Sequence, residues 1–192
     1  MIKKVLLIYF IVLFLINIVI TYIKTGFANG IAFFLYIILI FILYKIYKKT
    51  YTKNNSNKYP IGAVIKMFIL SCTIFLSYSL LEYGFASFFI PSNTSNYKFE
   101  TVHIINGIIF APIAEELIFR GILLNQICKK YSFIIANIIQ ASIFALLHFD
   151  LYGFCFLFIF GIILGIVCKY SNIYCCILIH SLNNLLVNNL YY

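Results

Sequence analysis

The amino-acid sequence predicts an all-α protein, a polytopic bundle of about seven transmembrane helices. Of its 192 residues, 64% are hydrophobic and only 10% are charged, whereas soluble domains carry about 25% charged residues. Apolar runs of spanning length also follow one another along the whole chain. About seven spans of roughly 20 residues each would use the full length. We therefore expect a multi-pass protein of the cell membrane with no room for a separate soluble domain.

Each predicted helix is an apolar run bounded by Lys, Asn, Pro or Gly. The runs occupy residues 5–23, 27–47, 61–90, 102–128, 132–149, 151–168 and 172–190. The first run is longer than the apolar region of a signal peptide and no small-residue cleavage site follows it, which predicts a retained helix. The third run is long for a hydrocarbon layer of about 30 Å, so we expect it to tilt or to kink near Gly84.

The lysines stand at the ends of the apolar runs, which predicts an orientation in the membrane. The net charge is +9, but the lysines are not interleaved with exposed aromatic residues as at a nucleic-acid surface. With seven crossings, ten lysines fall on one side of the membrane and two on the other. The positive-inside rule then places the N-terminus and the Lys-rich loop 45–60 in the cytoplasm. We expect the lipid bilayer as a partner and no nucleic acid.

The two halves of the chain differ in where their polar residues lie. Residues 1–100 are predicted to form about three N-terminal helices around the Lys-rich loop, and residues 101–192 a core of about four helices. An ionisable side chain at mid-bilayer costs roughly 2.5–3.5 kcal/mol on insertion scales, so such residues usually have a function. Five of them cluster in the predicted core: Glu115, Glu116, Arg120, His148 and His180.

Two acidic residues and an arginine share the fourth predicted helix. Glu116 and Arg120 are four residues apart and therefore share a helix face, which predicts a structural ion pair. Glu115 lies about 100° around the helix from Glu116 and is predicted to be the free carboxylate. An alternative is that all three side chains only hold helices together. On a soluble helix this alternative would be preferred.

Two histidines on separate helices complete a possible hydrolytic site. His180 and Asn184 are four apart on the last predicted helix, and His148 follows Phe144 at the same spacing on the fifth. In one scheme Glu115 is the general base, His148 helps to hold the water, and His180 with Asn184 donates hydrogen bonds to an oxyanion. Glu116 is kept among the candidate catalytic residues.

In a second scheme Glu115, His148 and His180 bind a divalent metal, possibly zinc, whose water becomes the nucleophile. The sequence leaves both schemes open.

The three ordered motifs resemble the CPBP family of intramembrane peptidases, which includes the CAAX prenyl endopeptidases and the Abi proteins linked to bacteriocin self-immunity. They are E-E-x-x-x-R, F-x-x-x-H and H-x-x-x-N, and the similarity runs from about residue 101 to 190. The resemblance implies an endopeptidase acting on a peptide or membrane-protein substrate, with Glu115 and His148 activating water and His180 and Asn184 stabilising the oxyanion. It also implies membership of the metalloprotease class and a role in bacteriocin processing or immunity.

Two other functions are compatible with the same residues. A non-catalytic immunity or scaffold protein would use the motifs only to hold the bundle together. A small transporter or channel would use Glu115, His148 and His180 as a proton or metal-ion path, but this gives no reason for Asn184 to lie one turn from His180. The sequence carries no signal for an oligomeric state.

Overall fold

Every regular element in the described part of the protein is helical. The computed structural model describes residues 2–22, 26–50, 104–149, 151 and 153–191, together with isolated helical positions at 66, 69 and 73. The helices are α1 (Ile2–Tyr22), α2 (Gly26–Thr50), α3 (residues 104–127), α4 (Phe133–Leu146), α5 (Phe154–Tyr170) and α6 (Ile173–Tyr191). Within these residues the predicted all-α class is confirmed.

Helix α2 extends into the first residues of the predicted Lys-rich loop. Helix α2 continues to Thr50, so the first part of the predicted loop 45–60 is helical. The Lys45 side chain folds back along the surface of α2, with Nζ 4.2 Å from the centre of the Phe41 ring. Lysines in a last turn also interact favourably with the helix dipole. Both interactions favour a longer helix. Residues 51–60 and most of the third predicted helix lie outside the described residues.

One described helix, Gly30–Thr50, is long and apolar enough to cross a membrane. Four shorter apolar helices accompany it: Val5–Ile16, Phe133–Leu146, Phe154–Tyr170 and Ile173–Leu186. The helices also present large apolar side chains outward, such as Phe14, Phe34 and Ile134, a surface that lipid accommodates better than water does. The number of seven spans stays a prediction.

Helix α3 is wound in two registers. The segments Asn106–Phe110 and Leu117–Leu124 are π-helical, and Ala111–Glu116 between them is α-helical. In the π register the N–H of Ala111 donates to the carbonyl of Asn106. The next donor in that register would serve Gly107, but residue 112 is proline and has no N–H. The Gly107 carbonyl is therefore left for a partner outside the helix.

Helices α4 and α5 pack closely because small residues line their contact. A Cβ atom added to Gly161 would lie 3.0 Å from the Cβ of Ala141, and one added to Gly165 would overlap Oδ1 of Asn137. Small residues let the backbones of membrane helices approach one another in this way. The close approach brings the Gly161 carbonyl to the centre of the bundle, where the core side chains include Phe119, Phe144, Phe160, Leu164 and Ile179.

Candidate active site

Helix α3 supplies a buried ion pair. Glu116 and Arg120 are both fully buried, and Arg120 Nη1 donates to Glu116 Oε1 over 2.8 Å. Arg120 also lies with Cζ 4.6 Å from the centre of the Phe144 ring. Two buried charges recover their lost hydration only when they are paired and hydrogen-bonded. The ion pair therefore provides a fixed anionic oxygen inside the bundle.

His180 on α6 joins both glutamates. Its Nδ1 lies 2.8 Å from Glu116 Oε1, and its Nε2 lies 3.8 Å from Glu115 Oε2. A carboxylate held by Arg120 only accepts hydrogen bonds, so Nδ1 of His180 carries the proton. In a neutral imidazole the other nitrogen, Nε2, then presents a lone pair toward Glu115. The sequence had paired Glu116 with Arg120 alone, and the structure adds this histidine as a second partner.

The distance between His180 Nε2 and Glu115 Oε2 suits a bridge by a water molecule or a proton. Two acceptor atoms 3.8 Å apart cannot bond to each other, and a polar contact longer than 3.5 Å is commonly bridged by water. The Glu115 side chain is 19% exposed whereas that of Glu116 is fully buried. Glu115 is therefore the more exposed of the two carboxylates, while its Oε2 atom, which faces His180, is buried and has no hydrogen-bond partner among the described residues.

The Phe144 ring connects His148 to this group. Helix α4 ends at Leu146, so His148 lies in the following turn and not on the helix where the sequence had placed it. Its Nδ1 is 2.8 Å from the Phe144 carbonyl oxygen, and its ring centre is 4.6 Å from that of Phe144. Because the carbonyl accepts, Nδ1 is the donor and Nε2 is left as an acceptor. The same Phe144 ring lies 5.9 Å from the His180 ring.

Asn184 contacts the backbone carbonyl that proline leaves free. Its Nδ2 donates to the oxygen of Gly107 over 2.9 Å, and its Oδ1 accepts from Asn183 over 3.3 Å. A carboxamide nitrogen has two hydrogens, so one N–H of Asn184 remains for another acceptor. The Asn184 amide is thus held against α3, and along α6 it lies one helical turn from His180.

Two buried carboxamides near the ion pair were not identified from the sequence. Gln140 Nε2 donates over 3.0 Å to the Gly161 carbonyl, which also accepts from Arg120 Nη2 over 3.4 Å. Asn137 accepts from Gln140 over 2.8 Å. Polar residues within an apolar run, four and seven residues before Phe144, were the signal that could have found them.

The described side chains do not assemble the predicted metal ligands. Among the residues that the structure describes, no three His, Cys, Asp or Glu side chains converge enough to hold a metal ion. His180 Nδ1 is hydrogen-bonded to Glu116, and His148 contacts the other site residues through the Phe144 ring. We derive no step through a metal, and the requirement for zinc stays a prediction.

The whole group of polar residues lies in one recognisable segment. Residues 97–186 match the family described as Type II CAAX prenyl endopeptidase Rce1-like. This segment is similar to the CAAX proteases. The resemblance indicated by the three motifs is thereby confirmed, and the similarity supports a protease and a membrane protein. No curated protein and no solved structure matches the chain.

Proposed function

We propose that the protein is an intramembrane endopeptidase that hydrolyses a peptide bond in a membrane-associated peptide or protein. The observation that carries the proposal is the position of His180 between two glutamates, with Nδ1 on Glu116 and Nε2 3.8 Å from Glu115. This arrangement sets a carboxylate that can act as a base beside an imidazole whose orientation is fixed by a buried hydrogen bond. The CAAX protease family of the segment supports the same reaction class.

In the proposed reaction Glu115 acts as the general base. It takes one proton from a water molecule, and the resulting hydroxide adds to the carbonyl carbon of the substrate. His148 Nε2 accepts a hydrogen bond from the other hydrogen of that water. The proton on Glu115 then passes to the leaving amine nitrogen, and the C–N bond breaks. The products are a carboxylic acid and an amine, and the acid then loses its proton to the amine or to solvent, so the atoms balance with water as the only co-reactant.

The oxyanion that forms during addition needs hydrogen-bond donors. The remaining N–H of Asn184 is one, and His180 becomes a second whenever Nε2 is protonated. Donors that are already fixed at the position where charge develops stabilise a transition state strongly, and removing one costs about 100- to 1,000-fold in kcat. The bond from Asn184 to Gly107 and the bond from His180 to Glu116 supply this fixation.

The test uses purified protein in detergent with a library of quenched lipidated peptides, and cleavage is followed by mass spectrometry. We expect wild type to cleave and Glu115→Gln to lose cleavage, because the carboxamide keeps the shape but is not a base. Glu100→Gln, the same chemical change outside the three motifs, is the matched control and should keep activity. Equal cleavage by wild type and Glu115→Gln would refute the assignment of the base.

A chelator added to the same assay decides the metal requirement. Loss of cleavage with the chelator, restored by zinc, would assign the metal mechanism. Cleavage that is indifferent to the chelator would support direct activation of water by Glu115 and the histidines. If wild type cleaves nothing, while both it and Glu115→Gln protect cells against a bacteriocin, the immunity or scaffold function replaces the peptidase.

A further inference from the structure

We propose that Gln140 is a positioning residue for the catalytic pair Glu115 and His180. It acts at a distance, through the Gly161 carbonyl, Arg120 and Glu116. The inference rests on the proposed function for its effect on cleavage, whereas the hydrogen-bonded chain itself is a property of the folded protein. Gln140 lies outside the three motifs that identify the site.

The side chain of Gln140 is fixed at both hydrogens of its amide nitrogen. Nε2 donates to the Gly161 carbonyl over 3.0 Å and to Asn137 Oδ1 over 2.8 Å. Asn137 in turn donates through Nδ2 to the carbonyl of Ile162 over 3.0 Å. The two carboxamides of α4 therefore hold two successive carbonyl groups of α5, and Gln140 itself is fully buried.

The Gly161 carbonyl is shared between Gln140 and Arg120. Arg120 Nη2 donates to it over 3.4 Å, and Nη1 donates to Glu116 Oε1 over 2.8 Å. The guanidinium group is planar and rigid, so the place of Nη2 determines where Nη1 points. The 3.4 Å contact is already long. A small displacement of the Gly161 carbonyl would therefore break it and let the guanidinium group turn.

The chain of contacts ends at the reacting groups. Glu116 Oε1 accepts from Arg120 and from His180 Nδ1, each at 2.8 Å. The bond to Glu116 keeps the proton of neutral His180 on Nδ1 and directs Nε2 at Glu115. A change in the position of Glu116 thus alters both the orientation and the tautomer of His180. Gln140 can therefore act on His180 without a direct contact to Glu116 or His180.

The orientation of the Gln140 amide is determined by its neighbours. Turning the amide over would set Oε1 against two other acceptors, the Gly161 carbonyl and Asn137 Oδ1. In the observed orientation Gln140 Oε1 is buried without a hydrogen-bond partner, as is Arg120 Nε. A buried amide oxygen without a partner costs about 1–3 kcal/mol. Gln140 therefore makes its contacts through its donor hydrogens alone, whereas an apolar side chain of the same size would avoid the cost of the buried oxygen.

The test compares Gln140→Met, which keeps the size and removes the donors, with Gln126→Met as the matched control. Gln126 lies near the end of α3, outside the three motifs, and its Nε2 is buried without a hydrogen-bond partner among the described residues. We expect Gln140→Met to lower kcat about 10- to 100-fold, the cost of slightly misplaced groups, with KM changed less than about twofold. Gln126→Met should leave both constants unchanged.

A second measurement separates this inference from the proposed function. The chain has three histidines, and in ¹⁵N-histidine-labelled protein the His180 signals are assigned by their loss in His180→Gln. We expect the Nδ1 signal of His180 to move in Gln140→Met and to stay in place in Gln126→Met. This measurement reports on the chain of contacts even if wild type cleaves no peptide.

The outcomes are distinct. If wild type cleaves and Gln140→Met matches it in kcat and in the His180 signals while remaining folded, the positioning role is wrong and the peptidase stands. If kcat and KM change together without a change at His180, Gln140 is only a packing residue. If Gln140→Met does not fold, Gln140→Asn keeps the amide on a shorter side chain. A moved His180 signal in that variant supports the inference, and an unchanged one overturns it.

Discussion

At the scale of single residues, the two neighbouring glutamates have different environments. Glu116 is fully buried and accepts hydrogen bonds from Arg120 and His180, whereas the Glu115 side chain is partly exposed and its Oε2 lies 3.8 Å from His180 Nε2. The same side-chain chemistry therefore has two consequences. One carboxylate stabilises the fold and orients the histidine, and the other is free to exchange a proton.

This difference predicts that the same substitution changes stability by very different amounts at the two positions. Glu116→Gln leaves the buried Arg120 without an anionic partner, which we expect to destabilise the protein by about 3–5 kcal/mol. Glu115→Gln should change stability by less than about 1 kcal/mol, because the side chain is partly exposed and has no short contact. Thermal unfolding in detergent measures both. A loss of stability as large in Glu115→Gln as in Glu116→Gln would contradict the division of roles.

Asn106 on α3 supports a second prediction. Its side chain is buried, and within the part of the chain that the structure describes neither its Oδ1 nor its Nδ2 has a hydrogen-bond partner. Asn106→Leu removes an unsatisfied amide and should stabilise the protein by about 1–3 kcal/mol. Asn125→Leu is the matched control, since Asn125 Nδ2 donates to the Gly121 carbonyl over 2.7 Å and its loss should destabilise. Equal destabilisation by both changes would show that Asn106 has a partner.

The sequence could anticipate contacts between residues one helical turn apart and little beyond them. The spacing of Glu116 and Arg120 led to the expectation of a pair, and the two side chains lie 2.8 Å apart. His180 is 64 residues from Glu116, and no periodicity relates positions on different helices. The contact of Asn184 with Gly107 needed knowledge of the π register before Pro112, which a regular helical wheel does not contain.

At the scale of elements, the close contact of α4 and α5 determines where the Gly161 carbonyl lies. Gly161 packs against Ala141, and Gly165 packs against Asn137. These contacts are the physical basis of the carbonyl's position beside Arg120. The sequence showed two glycines four residues apart, but only the structure shows which helix they face.

The contact predicts the cost of a single methyl group. Gly165→Ala places a Cβ atom against Asn137 Oδ1, so we expect a loss of about 1–3 kcal/mol in stability from overpacking. Gly30→Ala is the control, because a Cβ there meets nothing within 4 Å, and it should be neutral or slightly stabilising. Thermal unfolding of both variants in detergent measures the difference.

The double variant Gly165→Ala with Asn137→Ala tests whether overlap with Asn137 causes the loss of stability. It removes the overlapping amide, so its destabilisation should be smaller than the sum of the two single changes, as is usual for residues in contact. Simple additivity would mean that the two residues do not meet in the folded protein.

At the scale of the whole molecule, composition predicted the class of structure well and its crossings only in part. The described residues are all-helical, and the CAAX protease family of residues 97–186 agrees with a protein of the membrane. Hydropathy located the helices because an apolar run needs only its length to be recognised. It assigned residues 45–50 to the Lys-rich loop, whereas they form the last turns of α2.

The lysine distribution predicts that the two chain ends lie on opposite sides of the membrane, since seven crossings separate them. A fluorescent protein that folds only in the cytoplasm should fluoresce when fused to the N-terminus and stay dark at the C-terminus. A phosphatase that is active only outside should be active at the C-terminus. Truncation after Lys58, following two predicted crossings, is the control and should place a phosphatase inside. Two ends on the same side would require an even number of spans.

The fixed tautomer of His180 also has a consequence for inhibitors. Glu115 Oε2 and His180 Nε2 together present two hydrogen-bond acceptors 3.8 Å apart, with no donor between them when the imidazole is neutral. A compound that bears two hydroxyl groups on one tetrahedral carbon, such as a hydrated ketone, can donate to both at once. It also resembles the adduct of water with a peptide bond, and such analogues bind far more tightly than substrates do. A peptide ketone that stays unhydrated lacks both donors and should bind much more weakly.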